Sequence, residues 1–286
     1  MRGKFQRMLG WLLAFAAPAA MAETHCIGDI SSRAIYRVSV VPQFAPSVLH
    51  SRWAPLLERI GRETRTCFRL TISASIPEFE RGLARAEPDL AFVNPYHAVV
   101  ARRQHGYIPI ARDDLQRLSG VVVVRSDSAV RTLADLQGKP VAFPAPNAFA
   151  ASLLVRAQLA SQRIDIQPRY VKNHGNVYRS VALGEMEAGG GVNNTLQREE
   201  PALRQRLRVL YETPRFAPHP LVAHPRVPAD IRAALVAALI GQALTPAGRE
   251  LLEAVQMPQP VIVDYARDYA PLEALNLDRL AVPGGD

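Results

Sequence analysis

The chain has 286 residues, with 34 Lys and Arg against 26 Asp and Glu and a formal net charge of +8. Arginine carries almost all of the positive charge, because Lys4, Lys139 and Lys172 are the only lysines, and the arginines are spread singly instead of in runs. With no basic run and no platform of interleaved aromatics, nucleic acid is set aside as a partner, and the charge reads as a solvated surface that mildly attracts anions.

In chain order, residues 1–22 read as a secretory signal peptide. Arg2, Lys4 and Arg7 precede an apolar run over 8–19, and Ala20, Met21 and Ala22 supply a small-x-small cleavage pattern. The run is too short to span a bilayer, and His25 is a poor neighbour for a lipidated Cys26. Cleavage after Ala22 puts the mature chain in the periplasm and leaves a net charge of +5. Two cysteines in an exported chain, Cys26 and Cys67, point to one disulfide tying the N-terminal arm to the strand that Cys67 opens. Two unpaired thiols, or a thiol that binds a soft ligand, are the alternatives.

The pattern then alternates. Strands are expected over 36–41, 68–73 and 89–93, with helices over 47–62, from 76 to 86 and over 96–104. Trp53, Leu56, Leu57 and Ile60 share one face of the first helix. After a short extended piece at 108–110, a second set begins at the Val-rich strand 120–124. It continues through a strand over 141–143, helices over 148–161 and 177–183, a strand over 188–192, a helix over 195–199 and a strand over 209–211. A strand at 221–223 and long helices over 229–243 and 245–255 complete the chain. This alternation argues for an α/β fold with a largely parallel sheet. The mature length exceeds one comfortable core, so two lobes are expected. They comprise residues 23–118 with 217–286, and 119–216, with crossings near Ser119 and Phe216.

Asparagine recurs where strands give way to helices. Asn94, Asn147 and Asn193 each follow an apolar strand, and Asn176 precedes a fourth helix. An Asn side chain accepts a bond from an otherwise unpaired helical N–H, and Pro95 suits a first helical position. Helix N-termini gathered at the carboxyl edge of strands make an anion-friendly crevice. A single such cap carries no functional meaning; the repetition does.

At this point the chain resembles a known family. Asp89-Leu-Ala-Phe-Val-Asn-Pro-Tyr96, Leu133-Ala-Asp-Leu-Gln-Gly-Lys-Pro-Val-Ala-Phe143, His174 followed by Val181-Ala-Leu-Gly-Glu-Met-Glu-Ala188, Thr213-Pro-Arg-Phe-Ala-Pro-His-Pro220 and Gly248-Arg-Glu-Leu-Leu252 occur in the order and spacing of periplasmic substrate-binding proteins of the phosphate/phosphite/phosphonate ABC-transporter type. The resemblance implies the type II periplasmic binding protein fold, two Rossmann-like lobes with a central cleft and a two-strand hinge. It also implies a monomer, without cofactor or metal, that delivers a small anion to a permease. Tyr96 matches an aromatic ligand contact, His174 a cleft histidine and Glu187 a cleft acid.

One departure bears on specificity. Where phosphonate binders show a Ser-Thr-Ser run at a helix start, this chain has Asn147-Ala148-Phe149. The expected cleft lining is therefore Asn94, Tyr96, His97, Asn147, Ala148, Phe149, His174, Tyr178, Glu187 and Asn193, suited to a phosphonate-like or other oxyanion or carboxylate of low charge density. His97 could instead cap its helix or face solvent, and His219 and His224 are expected on the surface of a Pro-rich hinge. Two other functions are compatible with an exported chain. A sensor partner that presents ligand to a histidine kinase would use the same lobes. An exported hydrolase would need a nucleophile, but Ser152 falls within a helix and not at a strained elbow. No histidine spacing resembles a zinc set.

Overall fold

A computed structural model describes residues 26–32 and 34–282, and the expected signal peptide lies outside them. The strands are β1 (Ile27–Gly28), β2 (Ile35–Val40), β3 (Cys67–Ile72), β4 (Leu90–Phe92), β5 (Ile108–Asp113), β6 (Gly120–Arg125), β7 (Pro140–Phe143), β8 (Gln167–Tyr170), β9 (Ala188–Val192), β10 (Leu207–Glu212), β11 (Pro220–Ala223) and β12 (Pro260–Ile262). They form a seven-stranded sheet, β1-β3-β2-β4-β11-β5-β12, and a five-stranded sheet, β10-β6-β9-β7-β8. Sheet membership changes between Asp113 and Gly120 and again between Glu212 and Pro220. The two crossings pair with each other, since Leu118 and Phe216 exchange backbone hydrogen bonds of 2.9 and 2.8 Å.

The sheets are mixed, which corrects the expectation of a largely parallel one. Parallel pairing is confined to β2 with β3 and β4, and to β7 with β8 and β9. The cause is the double crossing. β6 enters the second sheet antiparallel to β9, and β11 returns between β4 and β5 antiparallel to both.

Helices α1 (Pro46–Thr64), α2 (Ile76–Ala84) and α3 (Pro95–His105) serve the first sheet. Leu49, Trp53, Leu56, Leu57 and Ile60 form the buried stripe of α1. Ser75 caps α2 through the Glu78 N–H, and Asn94 caps α3 through the His97 N–H. β7 leads into a π-helical turn (Phe149–Leu154) that continues as α4 (Val155–Ser161). The remaining helices are α5 (His174–Ala182), α6 (Asn193–Gln197), α7 (Pro201–Gln205), α8 (Ala229–Gln242), α9 (Pro246–Ala254) and α10 (Tyr265–Asp268). Among the described residues no single helix is long and apolar enough to cross a membrane.

Two close approaches explain otherwise puzzling glycines. A Cβ on Gly28, where φ is +110°, would lie 2.8 Å from the Cα of Gly61, so β1 rests directly on α1. In β9 the run Gly189-Gly190-Gly191 alternates faces. Added Cβ atoms on Gly189 and Gly191 would overlap Val177 and Tyr178 of α5, and one on Gly190 would overlap the Ala151 carbonyl of the π-helical turn. Cys26 and Cys67 are disulfide-bonded, with Cα atoms 5.4 Å apart across a separation of 41 residues. The bond fastens the β1 arm to β3, a link of a kind that contributes about 2–4 kcal/mol.

Candidate functional site

The carboxyl ends of the strands from both sheets converge on a small cavity walled by buried residues. Val41, Gln43, Ile76 and Asn94 line it from the first sheet's side, and Ala148 to Ala151, His174 and Val192 from the second. His219, just before β11, completes the wall. The volume is about 10 Å³, room for about one water molecule.

Its chemistry follows from how the elements end. Phe149, Ala150 and Ala151 open a helix, so their N–H groups have no carbonyl four residues back. Ser152 and Leu153 both donate to the Ala148 carbonyl, at 2.8 and 3.1 Å, which sets the π-helical register. Such turns are uncommon and concentrate at functional sites. Gly120 and Gly190 let this helix start sit against β6 and β9, bringing its positive end to the cavity. Phe149 is buried and meets Phe216 of the hinge edge-on, with ring centroids 5.6 Å apart.

Two histidines face the cavity as neutral rings. His174 is the first residue of α5, and its Nδ1 is buried with no hydrogen-bond partner. Burial pushes its pKa down to about 4. His219 stacks on Phe92 and lies 3.1 Å, Nε2 to Nε2, from Gln43. Burial lowers it to about 3, helped by His174 and His97 nearby. No arginine or lysine lines this cavity.

Of the residues expected in the cleft, Asn94, Ala148, Phe149 and His174 lie on its wall. The others are placed elsewhere. Asn147 does not cap the helix, whose N-cap is Ala148 without a side-chain bond. Its Nδ2 donates to Glu80 Oε2 (3.0 Å) and to the Val282 carbonyl (2.9 Å), and its Oδ1 accepts from the Val282 N–H (2.9 Å). The fourth helix starts at His174 and not after Asn176, because Asn173 is its cap. Asn193 is the first residue of α6 instead of its cap, and it binds the Ser119 N–H and the Arg117 carbonyl of the crossing. The Tyr178 hydroxyl is taken up by Val192 (3.1 Å) and Thr195 (2.7 Å) beneath β9. Glu187 is exposed at the opposite end of β9 from Val192.

Tyr96 and His97 belong to a neighbouring groove of about 310 Å³ between α2, α3 and the C-terminal segment. There Tyr96 donates to Asp278 (2.9 Å), and His97 Nε2 is 2.7 Å from Glu80 Oε1. The groove is larger, but the cavity is lined both by the residues that open the helix at Phe149 and by His174, whose Nδ1 has no partner, and it is therefore the candidate site.

Sequence reasoning missed Gln43 and put His219 on the surface; both are buried here. Gln43 stands just past a strand end, the same position that marks Asn94, so that signal was present. His219 is fixed by Pro218 and Pro220, and its burial depends on how the two sheets meet. Among the described residues no group of three or more His, Cys, Asp or Glu is placed to hold a metal ion.

Two α/β sheets joined by a paired double crossing, with helix N-termini facing the seam, define a type II periplasmic binding protein. The chain belongs to the family described as ABC transporter, phosphonate, periplasmic substrate-binding protein, whose model matches residues 38–269. Among solved structures it is similar to a binding-protein component of an ABC phosphonate transporter from Pseudomonas aeruginosa, at 15% identity and a TM-score of 0.77, covering 86% of each chain. It is also similar to PhnD1 of Prochlorococcus marinus in complex with methylphosphonate, at 15% identity and a TM-score of 0.77, covering 87% of this chain and 99% of that one. The aliphatic sulphonate-binding protein SsuA of Escherichia coli is more distant, at 17% identity and a TM-score of 0.58, covering 87% and 92%. No curated protein matches. The family assigns this chain to substrate binding for an ABC transporter in the periplasm, and favours that role over a sensor partnership.

Proposed function

We propose that the chain is a monomer that captures a small anion of low charge density and passes it to its permease. Residues 23–118 with 217–286 form one lobe and residues 119–216 the other, and the ligand is held between them against Asn94, Ala148, Phe149 and His174, with Gln43 and His219. The observation that carries this reading is the wall itself. The N–H end of the helix that opens at Phe149 and the unpartnered Nδ1 of His174 meet there without any guanidinium or ammonium. A strongly hydrated dianion needs charge-assisted donors to replace its water, whereas a monoanion is served by neutral donors and a helix terminus. PhnD1 of Prochlorococcus marinus is in complex with methylphosphonate, and SsuA of Escherichia coli is an aliphatic sulphonate-binding protein. The Ala148-Phe149 pair, standing where the resemblance leads one to expect hydroxyls, favours the less charged forms of such ligands. Removal of residues 1–22 on export completes the mature protein.

Calorimetry over phosphate, phosphite, alkylphosphonates, sulphonates and carboxylates, at a pH where phosphonates are dianions, tests this. Monoanions are expected to bind most tightly, and His174→Ala to weaken them about tenfold or more, since a hydrogen bond to a charged group contributes roughly 1.5–3 kcal/mol. Tight binding of a phosphonate dianion overturns the specificity. Unchanged affinity in His174→Ala overturns the site.

A further inference from the structure

We propose that the anion is captured together with one proton, taken up by His219 or His174, so that the counter-charge of the bound ligand is an imidazolium made at the moment of binding. This deepens, and rests on, the anion-binding reading above. The cavity wall has two imidazoles and two side-chain amides but no permanent cation. The helix N-terminus offers the equivalent of about half a charge, so with neutral donors it holds a monoanion with part of the charge uncompensated, and a proton on a wall imidazole supplies the remainder.

The groups around the pair do not supply it. From α3, His97 is engaged with Glu80 of α2, a carboxylate of the wrong sign. From α5, Tyr178 turns its hydroxyl to Val192 and Thr195. Beyond α6, Glu199 approaches Gly175 and faces Arg179 at 4.0 Å. From the C-terminal region, Tyr269 gives its hydroxyl to the Pro218 carbonyl. Gln43 faces His219 with an amide.

Without ligand, burial keeps both rings neutral, His174 falling to about 4 and His219 to about 3. An anion beside them favours the charged form of either ring and reverses that shift. Two imidazolium ions so close would repel, so one proton per ligand is the expected count. That proton passes from solvent to a ring nitrogen, and no bond in the ligand is made or broken. By linkage, affinity then rises as pH falls.

The test is calorimetry of the mature protein with methanesulphonate and methylphosphonate, at pH 7.5 and 5.5, in pairs of buffers with different ionisation heats. Methanesulphonate stays a monoanion throughout, so its proton count belongs to the protein. The expected result is uptake of about one proton at pH 7.5 and affinity rising about tenfold per unit of pH lost. The double variant, His219→Gln with His174→Gln, which keeps polar side chains without the titration, should abolish the uptake and flatten the pH dependence. Binding with no proton uptake overturns the inference and leaves the anion-binding reading standing. Uptake that persists in the double variant also overturns it. If neither probe binds at either pH, the anion-binding reading itself falls. Should a variant fail to fold, the wild-type proton count still decides.

Discussion

His174 and His219 sit deeper than their sequence neighbours announced, and their burial has a cost that depends on pH. In the unfolded chain each titrates near 6.5, while in the folded protein His174 waits until about 4 and His219 until about 3. Between those values the unfolded state binds more protons, so stability is complete above pH 6.5 and falls as pH drops through the window. Each ring loses about 1.4 kcal/mol per unit of pH below 6.5, so the pair costs roughly 2–3 kcal/mol at pH 5.5. Urea unfolding at pH 7.5 and 5.5 without ligand should show that drop, and His219→Gln should roughly halve it. Equal stabilities at the two pH values would mean that the imidazoles are not buried and neutral. At this scale the sequence was only partly legible. Asn94, Ala148, Phe149 and His174 stand at strand-to-helix junctions, which a pattern can mark. Asn147 has the same local pattern yet binds Val282, 135 residues away. Nothing local distinguishes the two cases.

Among the elements, β9 decides whether the site exists. Its three glycines leave the middle of the strand without side chains, and the neighbours take the space. Gly190 is the critical one, because a Cβ there would overlap the Ala151 carbonyl and the Phe143 ring. Gly190→Val should therefore lift the start of the helix at Phe149 off the sheet. Overpacking of this kind costs typically 1–3 kcal/mol. It should also weaken anion binding more than it lowers the melting temperature would suggest, since the displaced N–H groups form the cavity wall. Wild-type affinity and stability in this variant would show that the strand does not set the helix position. Alternation of apolar runs located most strands and helices, because each has one face to bury. β1, β8 and β12 escaped for physical reasons. β1 has two residues, and β8 and β12 are edge strands that carry Pro168 and Pro260, the positions where a sheet tolerates proline. Strand direction was not legible at all, since it follows from which sheet a strand joins after a crossing.

For the molecule as a whole, the cavity of about 10 Å³ is smaller than any oxyanion of the proposed class, so the two sheets must part for ligand to enter. Rotation about the Leu118–Phe216 pairing would part them, and the C-terminal segment opposes it. Asp278 in that segment accepts from Tyr96 (2.9 Å) and Arg103 (3.0 Å) on the first sheet's α3. Across the seam, Asn147 holds both backbone groups of Val282 at 2.9 Å, and Arg156 of α4 donates to the Leu280 carbonyl at 2.8 Å. At about 0.5–1.5 kcal/mol for each neutral bond, these contacts bias the protein toward closure before any ligand arrives. A chain ended at Asn276 loses all of them. In small-angle scattering without ligand it should show a larger radius of gyration than the full chain, and saturation with the tightest-binding anion should then compact it by more. Asn147→Ala should lie between the two. If the shortened and full chains scatter identically, with and without ligand, the C-terminal segment is not a strap and closure is set at the hinge alone.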